Sequence, residues 1–274
     1  MHRPLTIQDF IQLVVNEVAR PCPLEERTLL ALALTCRAFQ EAALDMLWAH
    51  QDGLGRLVQC LPEDLWTYSD DPLEDITLSE PTRATTQQDW QRFDVYARRV
   101  RTLDIDDSPY FKSQSIQIRS GENEHLAGGV HDITSASFRR LCDFRNLRRF
   151  GLNTEMRIIL DDDAVQEMAM SWPRLEYLHF SSLESPPTSA TLEGLAHLSR
   201  YCPSLSSLCI NVQTRGTVVS ADVIPGGGFC NRALEQIEFR MSFPFGNEAK
   251  IAAFLNAIFP NIRSLIGRGE GYGI

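Results

Sequence analysis

Apolar residues alternate with polar ones in short bursts along the second half of the chain. Segments of the form Φ-x-x-Φ-x-Φ, with Φ apolar, occur at Val100-Leu103-Ile105, Leu147-Phe150-Leu152, Leu175-Leu178-Phe180, Leu205-Leu208-Ile210 and Leu234-Ile237-Phe239, with a weaker copy at Ile262-Leu265-Gly267. From Leu147 onward the first positions are 28, 30, 29 and 28 residues apart. Strict period-two alternation over so few residues predicts a strand with one buried face. A near-constant spacing close to thirty predicts a stack of equal units, because one such unit cannot bury its own apolar stripe and neighbours must share a core.

The residues between the bursts take helical spacing. Asp161-Asp162-Asp163 precede Val165, Met168, Ala169 and Trp172; Thr188 or Ser189 precedes Leu192, Leu195, Leu198 and Cys202; Asn247 precedes Ile251, Phe254, Leu255 and Ile258. Each set starts at a residue that can accept a helix-terminal N–H and stops at Pro173, Pro203 or Pro260, where the chain turns into the next strand. Two intervals depart from the plan. Val100 to Leu147 spans 47 residues, with a polar loop at 120–125 and room for an extra strand around Ser115 to Ile118. Between Ile210 and Leu234 no helical period is visible, and the stretch containing Gly226-Gly227-Gly228 reads as irregular or extended.

The first fifty residues follow a different pattern. Ile7, Phe10, Ile11, Val14, Val15 and Val18 lie at helical spacing behind a capping box of Thr6 and Asp9, up to Pro21-Cys22-Pro23. Leu24 to Cys36 is rich in helix formers, and Phe39, Ala42, Ala43, Met46 and Leu47 mark a third helix ending at Trp48. Three helices on fifty residues make a small domain, marginal by itself. Residues 63–80 hold seven acids and no base and read as a linker. The expected division is therefore a helical domain at 1–50, a connecting region at 51–95 and a repeat region at 96–274.

Composition narrows the class. With 274 residues, 43% of them hydrophobic, the chain can bury a substantial core. No apolar run is long enough to span a bilayer, and the amino terminus lacks a signal-peptide plan. Seven cysteines without a C-x-x-C pair, and no N-x-S/T sequon, suit a reducing interior, so a cytoplasmic or nuclear location is expected, with no membrane partner. A net charge of −10 argues against nucleic acid as the principal partner.

The stretch Leu32-Ala33-Leu34-Thr35-Cys36-Arg37-Ala38-Phe39, continuing to Leu47 and Trp48, resembles the second half of an F-box, and the later x-Cys-Pro-x-Leu-x-x-Leu segment resembles irregular leucine-rich repeats of fungal F-box proteins. The two resemblances together cover most of the chain, in the order that family shows. They imply an α/β fold: a three-helix F-box-like head, then a short leucine-rich-repeat solenoid with parallel strands on its concave face and helices on its convex face. They also imply the substrate-recognition subunit of a Skp–cullin–F-box ubiquitin ligase. Its head would dock on a Skp-type adaptor through Pro4, Leu5, Leu34, Cys36, Phe39, Leu47 and Trp48, its solenoid would hold an unknown target protein, and neither catalysis nor a cofactor would be involved. The competing expectation is a stand-alone leucine-rich-repeat scaffold whose head is only an N-terminal cap.

In a Φ-x-x-Φ-x-Φ strand the residues flanking the central apolar one project from the opposite face. Aligning the strands collects Arg149, Asn153, Tyr177, His179, Ser207, Gln236, Glu238 and Arg240 into a polar column suited to a protein partner, or simply to water. His179 beside Cys209 invites a Cys/His chemistry, but the six histidines show no ligand spacing and no metal is expected. Asp161-Asp162-Asp163 reads as a helix start rather than a cation site. Five arginines between 139 and 149 could meet an acidic partner or face solvent.

Overall fold

The computed structural model describes residues 7–18, 25–65, 83–106, 132–182, 189–213, 225–239 and 248–267. The expected strand near Ser115, the capping box at Thr6 and the helix start at Asn247 fall outside these residues, as do Pro4, Leu5 and Arg240.

Three helices open the chain: α1 (Ile7–Val18), α2 (Glu25–Thr35) and α3 (Arg37–Leu47). Ile11, Val15, Leu29 and Ala42 form their small shared core, with Phe39, Met46 and Leu47 packed against it. There follow β1 (His50–Gln51), α4 (Gly55–Val58), α5 (Gln87–Ala97) and β2 (Thr102–Asp106). Then come β3 (Asp132–Thr134), α6 (Ser135–Phe138), β4 (Arg149–Thr154), β5 (Arg157–Ile159), α7 (Asp162–Ser171) and β6 (Tyr177–Ser182). The chain continues with α8 (Leu192–Tyr201), β7 (Ser207–Ile210), β8 (Gln236–Phe239), α9 (Glu248–Ile258) and β9 (Ser264–Gly267).

Seven strands form one parallel sheet in the order β1-β2-β4-β6-β7-β8-β9, so each unit lies beside the preceding one. The register is the one the apolar pattern demands: Leu103, Phe150, Leu178, Leu208, Ile237 and Leu265 stand side by side. A shift of one residue would turn every one of these side chains to the other face. Where each strand begins, the carbonyl of the residue before it accepts two N–H groups of the next unit. Ala49, Arg101, Arg148, Glu176, Ser206 and Glu235 each play this part, at N···O distances of 2.7–3.3 Å. The result is an α/β, solenoid-like arrangement with helical elements at its amino end.

On the inner face the strands pack with α5, α7, α8 and α9 around a continuous apolar core from Leu57 to Phe259. Aromatic rings run through it, with Phe150 5.4 Å from Trp172 and 5.5 Å from Phe180, and Phe93 6.0 Å from Phe144. The buried indole of Trp172 keeps its N–H satisfied by donating to the Leu141 carbonyl at 3.1 Å. A second, two-stranded ladder pairs β3 with β5 ahead of the helices, and Arg157 donates to both oxygens of Asp132 across it, at 2.6 and 2.9 Å.

Helix starts match the expected chemistry with one displacement. Asp161 caps α7 by accepting from Ala164 N–H at 2.8 Å. The cap of α8 is Thr191 rather than Thr188 or Ser189, because Ala190 is tied into the ladder by donating to the Leu160 carbonyl and helical dihedrals begin only after it. Asp162, read from sequence as one more helix-start carboxylate, reaches the next unit instead, accepting from Thr191 N–H and Oγ1–H at 2.7 Å each. The arginine-rich stretch from 139 is a single 3-10 turn at Leu141–Asp143 leading into β4, not a longer helix.

Candidate binding face and helical head

Registry places the outward residues in tiers. One tier is Thr102, Arg149, Tyr177, Ser207, Gln236 and Ser264; the next is Asp104, Gly151, His179, Cys209, Glu238 and Ile266. Parallel strands lie about 4.8 Å apart, so adjacent members of a tier touch. The Arg149 guanidinium lies over the Tyr177 ring at 4.5 Å, and the Tyr177 and His179 rings are parallel, 5.9 Å apart. Such a stack spreads positive charge over a flat aromatic surface and preorganises side chains that would otherwise lose rotamer freedom on binding. In a third tier Asn153 donates to Asp106 Oδ1 at 3.1 Å. Desolvation pushes the Tyr177 hydroxyl up from its ordinary value, with Arg149 pulling it down. Desolvation likewise raises the Asp104 carboxyl, against the pull of Arg149.

Of the sequence-derived column, the structure brings together Arg149, Tyr177, His179, Ser207, Gln236 and Glu238 in two adjacent tiers, with Asn153 in the third. Cys209 occupies a tier position yet is buried, being short and flanked in register by His179 and Glu238, and its thiol donates to the Phe180 carbonyl at 3.6 Å. Cys202 lies in the apolar core, where desolvation pushes its thiol up to about 12. None of the six described cysteines forms a disulfide, and no group of three His, Cys, Asp or Glu among the described residues could hold a metal ion.

The first strand was not legible in the Φ pattern. His50 pairs with Thr102 and Gln51 with Leu103, so Gln51 fills a slot that is apolar in the other strands; it is 3% exposed and donates to the His50 carbonyl. By the same register Trp48 falls in the slot of Val100, and its ring stacks on Tyr96 at 4.3 Å while packing on the large core. A repeat interrupted by glutamine and glycine leaves only the tryptophan as a sequence signal.

The helical head separates its sequence-derived residues into two groups. Phe39 and Leu47 are half-buried in the small core and Trp48 leans on the body, whereas Leu34 is 77% exposed and Cys36 is exposed. Leu30 lies one turn before Leu34 on α2 and is also exposed, and Phe10 and Leu13 are exposed at i, i+3 on α1. The sequence pattern set Phe10 on the apolar stripe of α1, where the structure exposes it, and it passed over Leu13 and Leu30, because α1 and the second half of α2 carry more apolar residues than one buried stripe can hold.

No helix among the described residues is long and apolar enough to cross a membrane. No family model matches the chain, and no curated protein matches it. Among solved structures the chain is similar to one from yeast described as a complex of Rad7 and Elc1, at a TM-score of 0.35 and 14% identity, over 95% of this chain and 54% of that one. The chain thus spans about half the length of that neighbour.

Proposed function

We propose that the chain is an F-box-like substrate receptor with irregular leucine-rich repeats, which binds a Skp-type adaptor through its helical head and a target protein through the outward tiers of its sheet. It works inside the cell, in the cytoplasm or nucleus, and does no chemistry itself. The observation that carries the reading is α2. The run Leu29 to Leu34 in α2 is apolar on every side, yet it buries Leu29 and Ala33 and leaves Leu30 and Leu34 in water, which is the surface a partner helix needs. The likeness of the stretch from Leu34 to Trp48 to an F-box supports an adaptor docking on that same segment. The rigid Arg149–Tyr177–His179 stack supports target binding, since aromatic and arginine side chains held in place are the anchors from which interfaces draw most of their affinity.

A second reading is favoured by Trp48, which sits in a repeat slot and stacks on Tyr96. Under it the head is an N-terminal cap of a scaffold with no ligase link. Calorimetry with a purified Skp-type adaptor separates the two. Replacing Leu30 and Leu34 by Glu is expected to abolish adaptor binding while changing the unfolding free energy from urea titration by less than about 0.5 kcal/mol per position, as for other exposed positions. Absence of any complex with the unmodified chain, or one untouched by the double substitution, supports the capping role instead.

A further inference from the structure

On a protein of net charge −10, one open cleft is lined by guanidinium groups. Arg98 closes α5, Arg101 precedes β2, Arg148 precedes β4 and Arg174 precedes β6; with Asn146 they surround a space of about 510 Å³ counting the solvent at its mouth. Arg99 and Asp45 complete the wall and are joined to each other, and Arg99 also donates to Glu41 Oε2 at 2.6 Å. Arg148 donates to Glu176 Oε1 at 2.9 Å. Arg98, Arg101 and Arg174 form no salt bridge among the described residues, although Arg98 lies near enough to Asp94 to pull its carboxyl down, and Arg174 donates to Asn146 Oδ1 at 3.2 Å.

The register sharpens the point. Arg101 and Arg148 hold the same place in successive units, since the Arg101 carbonyl accepts the N–H groups of Arg148 and Arg149. Like charges directly opposite on neighbouring strands are unfavourable, and guanidinium groups cannot shed their protons to relieve the repulsion. The one carboxylate lining the cleft, Asp45, is engaged by Arg99, so the convergence of the other guanidinium groups leaves positive charge that a bound anion would offset.

We propose that this cleft is a binding site for a phosphoryl group, held as the dianion by Arg98, Arg101 and Arg174 with Arg148 at the rim. The planar, multiply donating guanidinium matches a tetrahedral oxyanion better than it matches an isolated carboxylate. The site lies before the strands begin, apart from the outward tiers, and it stands independently of the receptor reading. Two sources present that chemistry: a phosphorylated side chain of a protein, and a soluble phosphate compound.

The test uses the full chain with inorganic phosphate, a single-phosphoserine peptide and its unphosphorylated form, followed by calorimetry and hydrogen exchange. Phosphate is expected to slow exchange in segments covering 98–101 and 146–149, and the affinity of the phosphoserine peptide should rise through about pH 6, where its second phosphate proton leaves, while sulfate binding stays flat. Arg101→Gln and Arg174→Gln should each weaken binding about tenfold, and Arg139→Gln should leave it unchanged. A phosphopeptide that binds much tighter than phosphate identifies a protein source; equal affinity identifies a soluble one. The proposal is overturned if neither probe binds at millimolar concentration, if the protected segments lie elsewhere, if both glutamine variants bind like the parent, or if an unstructured RNA binds more tightly than any phosphate probe. The exchange measurement needs no variant, so it decides the matter even if the substitutions prevent folding.

Discussion

Asp104 lies over Gly151 of the next strand, where a Cβ would come within 2.5 Å of its Oδ1. Glycine there lets the carboxylate settle beside the Arg149–Tyr177 stack. Its carboxyl is raised by desolvation, opposed by Arg149 and assisted by Asp52. A carboxyl whose folded value lies above its unfolded one favours the folded state while protonated, and that advantage is lost as pH rises through the ordinary carboxylate value, about 3.9, towards the raised one. Asp104→Asn should therefore match the parent in acid and exceed it in stability at neutral pH, as read from urea midpoints across that range; a deficit at pH 7 would mean that the pairing with Arg149 outweighs the desolvation. The sequence showed that Asp104 faces outward but not what it meets, because Gly151 is 47 residues away and the neighbour is chosen by register.

At the scale of elements, the described residues ahead of β8 form a 3-10 turn at Pro225–Gly228 where other units have an α-helix ending in a buried apolar side chain. Trp172, Cys202 and Phe259 each stand three residues before the first apolar strand position, and Asn231 takes that place ahead of Leu234. It is 1% exposed; its amide donates to the carbonyls of Cys202 and Leu205 at 2.7 and 3.1 Å, and its Oδ1 accepts from Ala233 and Leu234 N–H at 2.6 and 3.1 Å. All four partners are backbone groups that a regular unit would satisfy otherwise. Asn231→Ala is expected to cost about 2–3 kcal/mol in urea unfolding, and Asn231→Asp, which sets a buried carboxylate oxygen against the carbonyls of Cys202 and Leu205, to cost at least as much. The apolar pattern of the sequence did not single out this position, although counting three residues back from Leu234 finds a polar residue where Trp172, Cys202 and Phe259 stand in the other units.

At the scale of the molecule, the described residues form two apolar clusters, a small one in the head and a large one under the sheet. They are bridged by the Trp48–Tyr96 stack and by Arg99, which reaches from the end of α5 to Glu41 and Asp45 on α3. Arg99 is mostly enclosed, its side chain 14% exposed, so its two carboxylates are the main reason it can reside there. Arg99→Ala should raise amide exchange in residues 25–47 while leaving the strands between 149 and 180 protected. Equal acceleration in both would show that head and sheet open as one unit. A region expected as a connection, 51–95, contributes Leu57, Val58, Leu65 and Phe93 to the larger core, a role its sequence concealed because α4 and the turn at Glu63–Leu65 are too short to show a period.

What the amino-acid order determined by itself was the periodic part: side-chain direction alternates along any strand and recurs every 3.6 residues along any helix, so apolar spacing reports burial without knowledge of neighbours. That reasoning reached the strands β2, β4, β6, β7, β8 and β9, the helices carrying Val165 and Leu192, and the outward tiers, but neither β3 nor β5. The tertiary structure alone decided what depends on residues distant in sequence. It seated Gln51 in an apolar slot, turned Asp162 to the next unit, chose which sides of α1 and α2 meet water, and drew arginines from four elements into one cleft. Contact across units is set by strand register and backbone hydrogen bonding, and no local window of sequence carries either.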